Sequence, residues 1–505
     1  MRSLLHPAWA TAGVALLALV AGCAVPEGGR DLLRRHSPVY APADAPDAPW
    51  QKELVVREEG RTRVRARWTF EVSAPSVYAG FTLVTSPEAE ADRVWLNGAP
   101  VPVPVDNMRY RELPGIPPAA FRRGTNALVL EWPVHVRKRD GRPAPVTAEA
   151  SARLVAMTPE RLRIQSGPVL GHAGTDFLTV GCRTNLPARV TVEADGRQWT
   201  APEGFVHSVR MDGLEAGSKV AYRLVAELPD GRGKVTAGPF RTRTLPQAAP
   251  FTFVAIGDSR SHPDDWARVA GAVTEAQPDF VAFTGDNIAD GRRYNQWDEQ
   301  FFGPAPAFFA TLPTFYVLGN HEHRSPLFGR LLPVPGVERW TRVVGPVRLI
   351  GIDGSAGWDE GSGNLRWLEG VLEAAEAPYV FLLTHYPAWS SGPHGACGER
   401  AIIEGRKCIL PLMKRYDATA MLAGHDHCYE RSEPPDGVTV ITTGGAGAPL
   451  YGKAKDAEKH NPHSRIYARK HHHCLFTVTA EACTMQAVTP DGEVLDTRRW
   501  TPRTR

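Results

Sequence analysis

The sequence predicts a multi-domain chain in which two all-β sandwiches precede an α/β domain with a layered sheet. Three observations carry that expectation. At 505 residues the chain is too long for one core, so two to four domains are expected. From Trp50 to about residue 247 the apolar residues come in short alternating runs broken by Pro and Gly, with no sustained helical period. From Phe251 the period changes, and apolar strands alternate with amphipathic stretches. Composition adds little: 43% hydrophobic and 22% charged residues are ordinary globular values. A net charge of +3 over this length argues against a dedicated nucleic-acid surface, and Arg137-Lys138-Arg139 reads as a solvated loop.

Residues 1–23 read as a targeting segment. Arg2 supplies the positive start, Ala12 to Val20 is a short apolar core, and Val20-Ala21-Gly22-Cys23 follows. This resembles a bacterial lipoprotein signal, which implies cleavage before Cys23 and lipid on its thiol. An ordinary secretory signal or a membrane anchor is the alternative, although the apolar stretch falls short of the ~20 residues a bilayer span needs. The resemblance implies a lipid-anchored protein outside the cytoplasm, in a bacterial cell envelope. Residues 24–49, rich in Pro, Ala and Asp from Ala41 to Pro49, read as a linker.

Residues 50–157 form the first expected sandwich, with Arg63 to Val72 and Ala127 to Val134 as clear strands. Arg93-Val94-Trp95-Leu96-Asn97-Gly98, followed by Gly124 to Leu130, resembles galactose-binding-like domains, with Asn-Gly as a hairpin turn. That implies a fold and not sugar binding. Residues 158–247 form the second, with Val190 to Glu193 and Val220 to Val225 as strands. Its Leu214-Glu-Ala-Gly-Ser-Lys-Val-Ala-Tyr-Arg-Leu224 resembles the fibronectin type III-like domain that precedes the catalytic domain of purple acid phosphatases. An oxidising compartment permits disulfides, and Cys397–Cys408 and Cys474–Cys483 are the favoured pairs, with Cys182 and Cys428 left free.

Residues 248–505 are the α/β domain. Trp266 to Ala276, Leu365 to Ala375 and Ile409 to Tyr416 read as helices. Five apolar runs each end in a polar signal, where sites of α/β proteins gather. Phe251–Ile256 is followed by Gly257-Asp258-Ser259-Arg260, and Phe280–Thr284 by Gly285-Asp286-Asn287. Thr314–Leu318 is followed by Gly319-Asn320-His321-Glu322, and Tyr379–Thr384 by His385-Tyr386-Pro387. Thr419–Leu422 is followed by Gly424-His425-Asp426-His427. Imidazoles two residues apart at a strand end project the same way and can face one metal ion.

Each Gly-Asp pair alone is an ordinary turn. Together the five strand ends resemble the calcineurin-like metallophosphoesterase superfamily, and Gly-His-Asp-His-Cys-Tyr-Glu-Arg is most similar to its purple acid phosphatase branch. The resemblance covers residues 251–490 and implies an αββα-layered hydrolase with two divalent or trivalent metal ions (Fe, Mn or Zn). Such a pair of ions activates water and clamps phosphate oxygens. The resemblance assigns the bridging carboxylate to Asp286, the second ion to Asn320, His385 and His425, and the first to Asp258 and His427. It makes His321 the proton donor to the leaving oxygen, and it implies a phosphorylated small molecule or nucleotide as substrate.

Two departures stand out. Most of the superfamily has His two residues after the first Asp, where this chain has Arg260. Purple acid phosphatases instead carry Tyr three residues after the bridging Asp, where this chain has Ala289. A guanidinium stays protonated and cannot be a ligand. Arg260 is therefore expected either to hold a phosphate oxygen or to pair with Asp264 or Asp290, with Asn287, Tyr294 or water completing the first shell. His471-His472-His473 read as surface histidines, one of which could line the pocket. Phosphomonoester hydrolysis by metal-activated hydroxide is the expected activity. The alternatives are a diesterase or nucleotidase, or a non-catalytic envelope binding protein.

Overall fold

The computed structural model describes residues 30–503 except 46, 86–92, 102–111, 140–141 and 436. Cys23 and the targeting segment lie outside the described residues. Among the described residues no helix is long and apolar enough to cross a membrane.

The amino-terminal part holds a four-stranded sheet (Arg30–Asp31, Ala152–Met157, Gly80–Thr85, Glu112–Ile116) and a five-stranded one (Val39–Pro42, Gly60–Val72, Gly124–Val136, Arg93–Leu96, Ala99–Pro100). Trp68, Phe70, Leu128 and Leu130 of one sheet share a buried core with Phe81, Leu83 and Leu154 of the other. The Asn97-Gly98 turn joins Arg93–Leu96 to Ala99–Pro100 with φ of 54° and 83°, the left-handed pair a two-residue hairpin needs. The linker expected over 24–49 is corrected from Arg30 on. Val39–Pro42 pairs with Val64–Arg67, because the apolar Val39-Tyr40 step has a sheet edge to join and Pro42 closes the strand.

The next part is a five-stranded antiparallel sheet built on the 18-residue strand Phe177–Ala194. It abuts the region that follows through Tyr222 Oη donating to the Ala310 carbonyl (2.7 Å), Thr242 Oγ1 to Thr311 (2.8 Å) and Arg243 to Asp279 (2.5 Å).

From Phe251 two sheets lie face to face. In one, Thr314–Tyr316, Phe280–Phe283 and Phe251–Ile256 run parallel, then His473–Val478, Cys483–Val488 and Val494–Trp500 continue antiparallel. In the other, Val347–Ile352, Tyr379–Leu383, Ala420–Ala423 and Thr439–Thr443 run parallel, with antiparallel strands at both edges. Alternate residues explain the unbroken apolar runs. Phe253, Ala255 and Phe280 meet Phe381, Leu383 and Leu422 across the gap between sheets. Val254, Ile256 and Phe283 point the other way, onto Trp266, Val269 and Val273 of the Pro263–Ala276 helix. Ile350, Val380 and Leu382 likewise cover Leu368 and Leu372 of the Gly363–Glu373 helix. Strands covered on both faces have no polar side to show in sequence.

All six described cysteines are free thiols, which corrects both expected disulfides. In the hairpin register Cys474 lies opposite Ala487 and Cys483 opposite Val478, at opposite ends. Cys397 and Cys408 are separated by the Arg400–Glu404 helix, not by a polar loop.

Candidate metal centre

The five strand ends converge where the carboxyl edges of the two sheets meet. Asp258, Asp286 and Asn320-His321 come from the first sheet, and His385, His425 and His427 from the second. The loops are tightly wound. Asp258, Asp286 and His425 have φ of 62°, 56° and 71°, a conformation non-glycine residues hold only when their surroundings impose it. Gly424 has no such φ but is obligatory, since a Cβ there would collide with Asp258 Oδ2. Its neighbour's amide, His425 N–H, can then donate to Asp258 Oδ2 at 2.9 Å.

On one side of the centre four donor atoms crowd together. Asn320 Oδ1 lies 2.9 Å from His385 Nε2 and 2.9 Å from His425 Nδ1, and the two nitrogens are 3.1 Å apart. Asp286 Oδ1 is 3.3 Å from His385 Nε2. Donors bound to one metal at ~2.1 Å sit about 3.0–3.4 Å from each other, so the spacing is that of a coordination shell.

The hydrogen positions sharpen this. His385 Nδ1 faces the Thr284 carbonyl oxygen (2.9 Å) and must donate to it, while His425 Nε2 donates to Glu399 Oε2 (3.0 Å). In the neutral tautomers these bonds select, both inward nitrogens and the Asn320 oxygen present lone pairs to one another. Burial, the largest influence, holds the His385 imidazole neutral by pulling its pKa down to about 4. A bound cation would satisfy all of these facing lone pairs at once. These residues fit a metal ion, and the orienting carbonyl and carboxylate behind each imidazole are what a metal-ligating histidine requires.

The other side gathers Asp258, Asp286 and His427, all buried, with donor atoms within 4.8 Å of one another. His427 Nδ1 donates to the Pro449 carbonyl oxygen (2.7 Å), which turns Nε2 inward, 3.6 Å from Asp258 Oδ1. Tyr451 stacks on the His427 ring at 4.0 Å. Burial, and then the nearby Asp286 charge, raises the Asp258 carboxyl well above its ordinary pKa. Burial also pushes Asp286 upward, but His385, His321 and Arg260 outweigh it and leave its pKa below the ordinary value.

Arg260 forms neither of the expected ion pairs, with Asp264 or with Asp290. Its Nε lies 3.3 Å from Asp286 Oδ2 and its Nη2 3.3 Å from His427 Nε2, while Asp290 is bonded by Arg292. Tyr294 is also excluded from the centre: its ring lies under the Arg183 guanidinium at 4.6 Å, and Arg183 in turn pairs with Asp298. The Asn287 side chain is fully buried, and neither of its amide atoms has a hydrogen-bond partner.

His321 donates from Nδ1 to the Ala289 carbonyl oxygen (2.7 Å), which aims Nε2 at the centre, 3.9 Å from Asp286 Oδ2. With 27% of its side chain exposed, it sits at the mouth. The histidine run is corrected: His472 and His473 are buried, and His472 Nε2 bonds Thr443 Oγ1 (3.1 Å) beneath the glycine-rich loop.

Several residues that matter carry no sequence signal. Glu322 accepts from the backbone N–H of Gly319 (2.7 Å), Asn287 (2.8 Å) and Asp286 (3.0 Å), which ties two ligand loops together. Glu399 holds His425 and also His394 (Nδ1 to Oε1, 2.7 Å), and that second bond raises the His394 pKa. His394 lies over His425 with ring centroids 4.0 Å apart. The Gly444–Leu450 loop orients ligands through its backbone, with Ala448 N–H on the Asp258 carbonyl (2.8 Å) and Pro449 on His427.

Residues 251–429 match the model of the calcineurin-like phosphoesterase family. They form a calcineurin-like phosphoesterase domain. The chain is therefore a metallophosphoesterase, a hydrolase of phosphoric esters. It is similar to tartrate-resistant acid phosphatase type 5 of Mus musculus, 23% identical over 253 residues, which is 41% of this chain and 75% of that protein. The enzyme of that name from Sus scrofa is 25% identical over 260 residues, covering 42% and 74%. In fold, the metallophosphoesterase resembles a purple acid phosphatase from yellow lupin (Lupinus luteus) with a TM-score of 0.61. That likeness extends over 88% of this chain and 93% of the lupin chain at 16% identity, so it reaches well beyond the phosphoesterase domain.

Proposed function

We propose that the protein hydrolyses phosphomonoesters in a metal-dependent reaction, at a bacterial cell envelope and outside the cytoplasm, anchored through lipid on Cys23. The observation that carries the catalytic reading is the convergence of Asp286, Asn320, His385 and His425 with their lone pairs turned to one point. A metal ion held there supplies Lewis acidity that activates water and offsets phosphoryl charge. The chain's own side chains do the rest. Asp286, Asn320, His385 and His425 would hold the ion, with Asp258 and His427 on the far side of the shared carboxylate. His321, fixed through Nδ1 by Ala289, carries a proton at Nε2 to the departing alcohol oxygen. His394, whose pKa the bond to Glu399 raises, offers an N–H to a phosphate oxygen at the mouth.

The same reading covers the architecture. The facing sheets with helices outside are an αββα core, and the two amino-terminal parts are a galactose-binding-like and a fibronectin type III-like sandwich. They space the enzyme from the membrane. The acid role has a direct test in the leaving-group dependence of the His321→Ala variant. Turnover of an alkyl phosphate should fall about 10²–10⁴-fold, the range of general acid catalysis, while nitrophenyl phosphate loses far less. Equal losses on both substrates would remove His321 from that role. Faster hydrolysis of a bis-nitrophenyl diester than of the monoester would replace the monoesterase reading with the diesterase one.

A further inference from the structure

We propose that the Arg260 guanidinium stands in for one of the two metal ions, so that the protein binds a single catalytic ion, at the Asn320–His385–His425 position. The inference rests on the phosphoesterase reading and deepens it.

Among the His, Cys, Asp and Glu side chains of the described residues, the Asp258 side gathers Asp258, Asp286 and His427. The two positions that supply a further ligand in the patterns this chain resembles are Arg260 and Ala289, and Tyr294 is committed to Arg183. The guanidinium meanwhile bonds two of the three available donors, Asp286 Oδ2 and His427 Nε2, each at 3.3 Å. An ion bound on this side needs those same two atoms. Ion and guanidinium exclude one another.

The hydrogen logic then separates the two sides. The Pro449 carbonyl fixes His427 with its Nε2 lone pair inward, as Thr284 fixes His385. At His427 that lone pair meets an N–H of Arg260. At His385 it meets other lone pairs. One position already holds a cation as a side chain, and the other turns acceptors toward the place of an ion. Asp286 still bridges, with Oδ1 toward His385 and Oδ2 toward Arg260.

Arg260 is also well anchored. It is only 14% exposed and donates from Nη1 to Ser261 Oγ (3.3 Å). A guanidinium cannot lose its proton at any working pH, so the positive charge is permanent. A divalent ion approaching within ~4 Å would meet like charge in a buried setting, where such repulsion is several-fold stronger than in water.

The test is metal stoichiometry on the full chain, purified without chelator and equilibrated with excess Mn(II). The ratio comes from elemental analysis and the nuclearity from electron paramagnetic resonance. The wild type should hold one ion per chain with an uncoupled Mn(II) spectrum. Arg260→His should hold two, exchange-coupled. His427→Ala should keep its one ion, whereas Asn320→Ala should lose it. Two coupled ions in the wild type would overturn the inference and leave the phosphoesterase reading intact. Loss of the ion in His427→Ala would also overturn it. No ion in the wild type would overturn the metal-dependent reading itself, and the inference with it. If Arg260→His does not fold, the wild-type ratio and His427→Ala decide the matter alone.

Discussion

The Asn320 side and the Asp258 side of the centre are built by one device and end in opposite electrostatic states. In each, a backbone carbonyl takes the outer N–H of a buried histidine and forces the other nitrogen inward. Around His385 the inward atoms are all acceptors. Around His427 a guanidinium donates to two of them. Ligand orientation alone therefore does not make a metal position. What the neighbouring loop delivers into the space, an acceptor or a fixed cation, decides whether an ion is required or redundant.

Asp286 belongs to both sides, so its loss is the most severe way to break the comparison. Asp286→Asn should abolish metal binding and reduce kcat/KM by about 10³-fold or more, the effect of losing several kcal/mol of charge stabilisation. Retained metal with full activity would refute the shared role.

A milder change sharpens one side only. Glu399→Gln leaves the ligands in place but removes the carboxylate that selects the His425 tautomer. Metal affinity should fall about 10- to 100-fold in a competition titration, as when other orienting partners are removed. An unchanged affinity would mean that the tautomer is set elsewhere.

These cases mark what was legible in the sequence. An apolar run followed by Gly and a chelating side chain is a local signal, so Asp258, Asp286, Asn320, His385, His425 and His427 could all be nominated before any fold was known. The sheets were legible for the same reason, since runs such as Phe280–Phe283 are buried on both faces. The destination of Arg260 was not. Its long side chain reaches Asp286 and His427, 26 and 167 positions away, and no spacing rule encodes that. Glu322, His394 and Glu399 were equally silent because they lie in or cap helices of three to five residues, too short to show a period. The expected cysteine pairs failed because proximity in sequence says nothing of register: in the hairpin Cys474 and Cys483 lie at opposite ends.

Glu322→Gln tests the scaffold that both sides share. The carboxylate accepts three backbone N–H groups from the two ligand loops. Replacing it should cost about 1–3 kcal/mol, visible as a lower urea midpoint for the phosphoesterase domain, with metal affinity falling in step. A shift in activity without any shift in stability would make Glu322 more than a tie between loops.

The smallest expected effect concerns pH at the mouth. The hydrogen bond from His394 is the main cause of the depressed Glu399 pKa, and the bond to Glu399 is the main cause of the raised His394 pKa. The depressed carboxyl contributes stability above its unfolded pKa and loses it as pH falls; the raised imidazole contributes below its unfolded pKa and loses it as pH rises through the folded value. The loop from Ser390 to Glu399 should thus be best protected between about pH 4.3 and 6.5, the two unfolded values. Hydrogen exchange of that loop should quicken as pH is raised beyond this window, after correction for the intrinsic rate. A flat profile would uncouple the pair from loop order.

The central claim is that one cation belongs among Asp286, Asn320, His385 and His425. Crystals soaked in Mn(II) and measured at the manganese absorption edge test it directly. The account predicts a single anomalous peak bonded to Asp286 Oδ1, Asn320 Oδ1, His385 Nε2 and His425 Nδ1, with Arg260 still on Asp286 and His427. A peak confined to Asp258, Asp286 and His427, or none at all, would contradict it.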